Sequence, residues 1–179
     1  LWLTQSVKNF RSDVSVINTS LINMEAYRDR ILEELNYEPF KGYNYDLILH
    51  LINNRGDRPL HVSSSALRPF HDMPEMDSLY LVGLTYLYSD EDIDNVSLIR
   101  RNYEKRYLLD YLKEQFTVHP SDKVAENFDA LYLASMIKLY KHYKNSEDAL
   151  KMSEIEALML KISKKAGQED MVKELLKDS

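Results

Sequence analysis

No cysteine occurs among the 179 residues, which excludes disulfides, thiolate nucleophiles and cysteine-bound zinc together. Glycine (4) and proline (5) are scarce, so turn-forming residues are too few for a sandwich, a barrel or a doubly wound sheet. Four glycines at 42, 56, 83 and 167 build neither a GxGxxG nor a GxxxxGK[ST] phosphate loop, and no GxSxG elbow is present. No apolar run approaches the ~20 residues that span a bilayer. A basic surplus is also missing. Against 29 Asp and Glu stand 23 Lys and Arg, a net charge of −6 that repels a phosphate backbone and makes nucleic acid an unexpected partner.

The residues that are present describe an ordinary globular chain. At 44% hydrophobic and 29% charged it can bury a core and is not a disordered segment. The composition fits one domain, 1–179, and the expected fold is all-α: a helical bundle of about seven helices with a long N-terminal helix over 1–36 and the bundle over 37–179.

The sharpest pattern lies in residues 3–35. Leu3, Val7, Phe10, Val14, Ile17, Leu21, Met24, Arg28, Ile31 and Leu35 alternate in steps of four and three, and nine of these ten are apolar. A strict heptad predicts a coiled coil, with Val7, Phe10, Val14, Ile17, Leu21, Met24 and Ile31 as the seam for a homodimer or a partner helix. Such a helix would be about 50 Å long at ~1.5 Å per residue. Arg28 on that seam either sets register or snorkels to solvent.

Further helices are expected at about 45–53, 75–88, 95–116, 122–144, 147–165 and near the C-terminus. The run Ser89–Asp94 supplies several N-cap candidates for the helix that follows it, Ser121 is read as an N-cap and Gly167 as a C-terminal stop. The helix at 75–88 is apolar nearly all round and reads as central and buried. Residues 54–74 hold three prolines, follow no period and read as an irregular loop, briefly extended at Leu60–Val62.

Candidate chemistry is thin. Arg55, Arg58, His61, Arg68 and His71 concentrate cations in the 54–74 loop, where arginine forks and imidazoles suit a carboxylate or phosphate. Their alternative role is to pair with surface acids. Arg100, Arg101, Lys105 and Arg106 flank Tyr103 and Tyr107, a spacing able to clamp a single strand but more typical of core packing. His71-Asp72 lacks the other ligands of a metal-dependent phosphohydrolase, and Asp90–Asp94 fails the EF-hand spacing at Asn95 and Arg101. Arg55-Gly56-Asp57 is a three-residue match to the integrin tripeptide and carries little weight. No catalytic residue, metal or cofactor is expected.

The chain opens Leu1-Trp2-Leu3 into a polar stretch, which reads as the exit of a removed transmembrane segment or as an arbitrary boundary. In layout this is similar to single-span bacterial membrane proteins with a helical extracytoplasmic domain. That similarity implies a non-enzymatic interaction or sensor-like module, anchored in the membrane only through a segment upstream of residue 1; a cytoplasmic location is the alternative. Two other functions stay open: an enzyme or small-anion-binding protein using the 54–74 loop, and, more weakly, a nucleic-acid-binding regulator.

Overall fold

The computed structural model describes residues 11–107, 109–110, 112–113 and 129–177. Among them are six α-helices and a three-stranded antiparallel sheet. The helices are α1 (Glu25–Leu35), α2 (Asn44–Asn53), α3 (Asn95–Lys105), α4 (Leu133–Asn145), α5 (Ala149–Lys165) and α6 (Glu169–Lys177). The strands are β1 (His61–Ser63), β2 (Leu79–Leu81) and β3 (Thr85–Tyr88), in the order β1-β3-β2. The expected all-α bundle of seven helices is therefore corrected to a mixed fold. Contacts divide it into two compact units. One holds the described residues up to Leu60 with Ala66–Met76; the other holds His61–Ser65 with those from Asp77 onward.

The long N-terminal helix and its coiled coil are also corrected. Among the described residues, helix begins at Glu25, and residues 11–24 run through turns. The cause is local chemistry. Seven of residues 11–23 are Ser, Thr, Asp or Asn, whose short polar side chains compete for backbone groups and disfavour helix interiors. Asn18 does so visibly: its Oδ1 accepts from the Ser20 N–H at 2.9 Å, and its own N–H donates to the Tyr27 hydroxyl at 2.8 Å. Tight turns follow, with Leu21 N–H on the Asn18 carbonyl and Met24 N–H on that of Leu21.

Of the seam residues, Val7 and Phe10 lie outside the described residues. Ile31 and Leu35 are buried against Leu47 and Leu51 of α2, Ile17 and Leu21 pack onto the same cluster, Val14 is half-buried, and Met24 is 58% exposed. The helical part of the seam thus finds its mate inside the first unit. Arg28 does not snorkel. It is 2% exposed, with Nε donating to Asp29 at 3.0 Å and the guanidinium 5.4 Å from the centre of the Tyr43 ring. Asn36 closes α1 in the left-handed region (φ 58°), with Tyr37 N–H reaching back to the Leu32 carbonyl.

In the second unit, the helix expected at 75–88 is instead a 3₁₀ turn, Pro74–Ser78, followed by a β-hairpin. Leu79-Tyr80-Leu81 and Thr85-Tyr86-Leu87-Tyr88 are rich in aromatic and β-branched residues that suit a pleated surface. Gly83 supplies the turn between them at φ 147°, a conformation that L side chains rarely adopt. A Cβ there would also collide with the Tyr107 hydroxyl, which accepts the Leu84 N–H at 3.1 Å. Asn102 of α3 completes the hold by donating to the Val82 carbonyl at 2.8 Å. Strand β1 adds at His61–Ser63, with Val62 opposite Tyr86.

Helices α4, α5 and α6 follow with clear punctuation. Asp94 caps α3 through the Ser97 N–H, and Asp148 caps α5 through that of Lys151. Gly167 (φ 68°) ends α5 with Gln168 N–H on the Ser163 carbonyl, a Schellman closure. Met136 and Leu139 of α4, Ile155, Met159 and Ile162 of α5 and Val172 of α6 are at most 2% exposed and share one core with Leu81, Ile99, Leu109 and Leu112. Each such side chain contributes about 2 kcal/mol by leaving water. The expected cap Ser121 lies outside the described residues.

Candidate functional site

Of the cations singled out in the 54–74 segment, two arginines are spent locally. That stretch carries β1 at His61–Ser63 and short 3₁₀ turns. Arg55 donates from Nη1 to the Ile52 carbonyl at 2.8 Å. Arg58 donates from Nη1 to the Leu35 carbonyl at 3.2 Å and lies 6.0 Å from the Tyr37 ring centre. Arg68 and His71 are exposed beside the 3₁₀ turn Arg68–Phe70. His61 belongs to the other unit, where its Nδ1 is 3.0 Å from Thr85 Oγ1 and desolvation of the ring lowers its pKa. The five are thus divided between the two units, four in the first and His61 in the second.

The tyrosines of the second basic patch pack inward. Tyr103 and Tyr107 join the core of the second unit, and Tyr107 meets Tyr132 edge-on with ring centres 5.6 Å apart. Arg100, Arg101 and Lys105 of α3 and Arg106 just after it are exposed. The acidic run is occupied too: Asp90 accepts from the Tyr88 hydroxyl at 3.0 Å and Asp92 from that of Tyr80 at 2.8 Å. No group of three or more potential metal ligands occurs among the described residues.

One polar cluster does link three helices. Glu104 of α3 accepts from the Tyr143 hydroxyl of α4 at 3.1 Å and from Lys151 Nζ of α5 at 2.8 Å. The lysine hydrogen bond holds the Glu104 carboxyl below its ordinary value, with Tyr143 adding to that effect. Burial, then the Glu104 hydrogen bond, pushes the Tyr143 phenol upward, and Glu104 raises Lys151. At neutral pH the three are an anion, a neutral donor and a cation, each already satisfied. None is poised to exchange a proton near pH 7, so the cluster acts as a clamp and not as an acid–base pair.

A concave feature of the second unit is an open groove of about 270 Å³ across α4, α5 and α6. Tyr140 of α4 lines one side, Glu156 and Leu160 of α5 the middle, and Lys173, Leu176 and Lys177 of α6 the other. Helical spacing sets this arrangement: 156 and 160 stand one turn apart on α5, as do 173, 176 and 177 on α6. The floor is apolar, with Leu160 and Leu176 half-buried against the core. Lys173 reaches Glu169 at 2.7 Å, while Lys177 has no ion pair among the described residues. A trace of the groove is in the sequence. The buried stripe of α5 uses Ile155, Leu158, Met159 and Ile162, so Leu160 is an apolar residue beyond what that stripe needs.

Comparison with protein-family models, with curated proteins and with solved structures finds no match to this chain. No described helix is long and apolar enough to cross a membrane.

Proposed function

We propose that this chain is a non-enzymatic interaction module that docks a partner segment across the layer formed by α4, α5 and α6. The observation that carries this reading is the groove with its apolar floor, formed by Leu160, Leu176 and Tyr140, between charged side chains. A concave apolar strip edged by a few polar groups is the usual form of a binding surface for a helix or peptide. The clamp supports this reading in part. Glu104, Tyr143 and Lys151 fix α4 and α5 against α3, so two of the three helices that line the groove are held before a partner arrives and less ordering entropy is lost on binding. The alternative of an enzyme or small-anion site in the 54–74 segment needs free, convergent cations, and two of its arginines donate to carbonyls of their own unit.

The test is selection of displayed random peptides on the immobilised chain, followed by competition with a variant whose groove is filled by Glu156→Trp. Selected peptides should bind the parent chain and lose at least about tenfold in affinity on the filled groove. Peptides that bind both equally overturn the reading.

A further inference from the structure

Resting on the docking reading, we infer that the segment seated in this groove is an acidic amphipathic helix that inserts one or two aliphatic side chains between carboxylates. The charge distribution carries the inference. Residues 133–177 hold nine lysines against seven carboxylates, a local charge of +2 within a chain of −6, so the remaining residues carry −8. The groove thus lies in a layer of local positive charge within an acidic protein. Its lining has two lysines and one carboxylate, and Lys164 adds a third cation one turn beyond Leu160 on α5, near enough to Glu169 to lower its pKa. An anionic partner gains on approach from the lysines, while a basic one is repelled by them; rim charges of this kind set choice of partner and association rate more than depth of affinity.

The surface fits a peptide better than an anionic membrane. Lipid headgroups need a flat or convex cationic face, whereas this strip is concave. The partner that satisfies both the apolar floor and the lysine rim is a helix with aliphatic side chains one turn apart and Asp or Glu on either side.

The test uses the whole chain, isotope-labelled, with two synthetic amphipathic peptides as probes, one repeating Glu-Leu-Leu-Glu and the other Lys-Leu-Leu-Lys. Amide shifts should gather around Leu160, Lys173 and Leu176 with the glutamate peptide, weaken as salt rises, and stay about tenfold weaker with the lysine peptide. Lys173→Glu/Lys177→Glu should reverse the preference. Lys173→Gln/Lys177→Gln, which adds no like-charge pair to α6, should abolish it with the helical circular dichroism unchanged. Equal response to both peptides overturns the acidic partner but leaves the docking face. Response to neither overturns both. Binding to phosphatidylcholine–phosphatidylglycerol vesicles in place of the glutamate peptide overturns the peptide assignment.

Discussion

Residues 11–35 and residues 133–177 both space apolar side chains at helical intervals, yet the first is helical only from Glu25 and the second is helical nearly throughout. The difference lies between the apolar positions. The first stretch has seven Ser, Thr, Asp and Asn within residues 11–23; the second has seven across its 45 residues. In the second, two of those seven work at a boundary, Asp148 as a cap and Ser146 just after α4. In the first, Asn18 turns the chain on itself instead. An apolar repeat states which face will be buried, but the residues between the repeats decide whether the backbone prefers a helix or a series of turns.

Four measurements can break or sharpen that contrast. The largest effect is expected from Met159→Ala, which opens a cavity in a fully buried site and should lower stability by about 2–5 kcal/mol in chemical denaturation. Met24→Ala, at a seam position of the other stretch that is 58% exposed, should change it by under about 0.5 kcal/mol. Similar losses from the two would restore the continuous seam.

Next is the clamp of Glu104, Tyr143 and Lys151, read through pH. The folded carboxyl of Glu104 titrates below its ordinary 4.5, so its stabilisation is present above the unfolded value and fades as pH falls through the folded one. Lys151, raised in the fold, contributes fully below its ordinary 10.5 and loses this as pH climbs through the folded value. Glu104→Gln should therefore cost about 1–2 kcal/mol near pH 7, and the gap to the parent should close in urea titrations taken down towards pH 3. A gap that is independent of pH would assign the loss to packing alone.

The turn at Asn18 comes third. Asn18→Ala removes the acceptor for the Ser20 N–H and should destabilise by about 1 kcal/mol in the same denaturation assay, although alanine is the better helix former. A gain in both stability and helical circular dichroism would show that the turn does not hold this stretch. The smallest effect is a gain. Glu147 closes α4 at φ 59°, with Asp148 N–H on the Tyr143 carbonyl, a position where a side chain is strained. Glu147→Gly should raise the thermal midpoint, worth about 0.5–1 kcal/mol.

The candidate site was only partly legible in the sequence. Of the five loop cations, Arg55 and Arg58 donate to carbonyls of the first unit, and His61 belongs to a sheet of the second whose other strands come from residues 79–88. Nothing local announces such spending, since a guanidinium finds whichever carbonyl the fold brings near. The groove was hidden for the converse reason. It joins Tyr140 to Leu176 through residues of three helices, and only Leu160 stood out of its stripe. The hairpin at 79–88 was mistaken for a buried helix because short apolar runs carry no decisive period.

By itself the sequence determined helix boundaries where the signal is local, as in the acidic run that ends at Asp94 and at the left-handed Gly167, and it determined the apolar stripes that became α5 and α6. Those signals act over a few residues and need no partner. Only the tertiary structure decided that Arg28 is buried beneath Tyr43, that residues 79–88 pair as strands held by Asn102 and Tyr107, and that three helices leave a groove between them. Each of these depends on groups distant along the chain meeting in space, and burial and hydrogen-bond satisfaction at such meetings outweigh local preference.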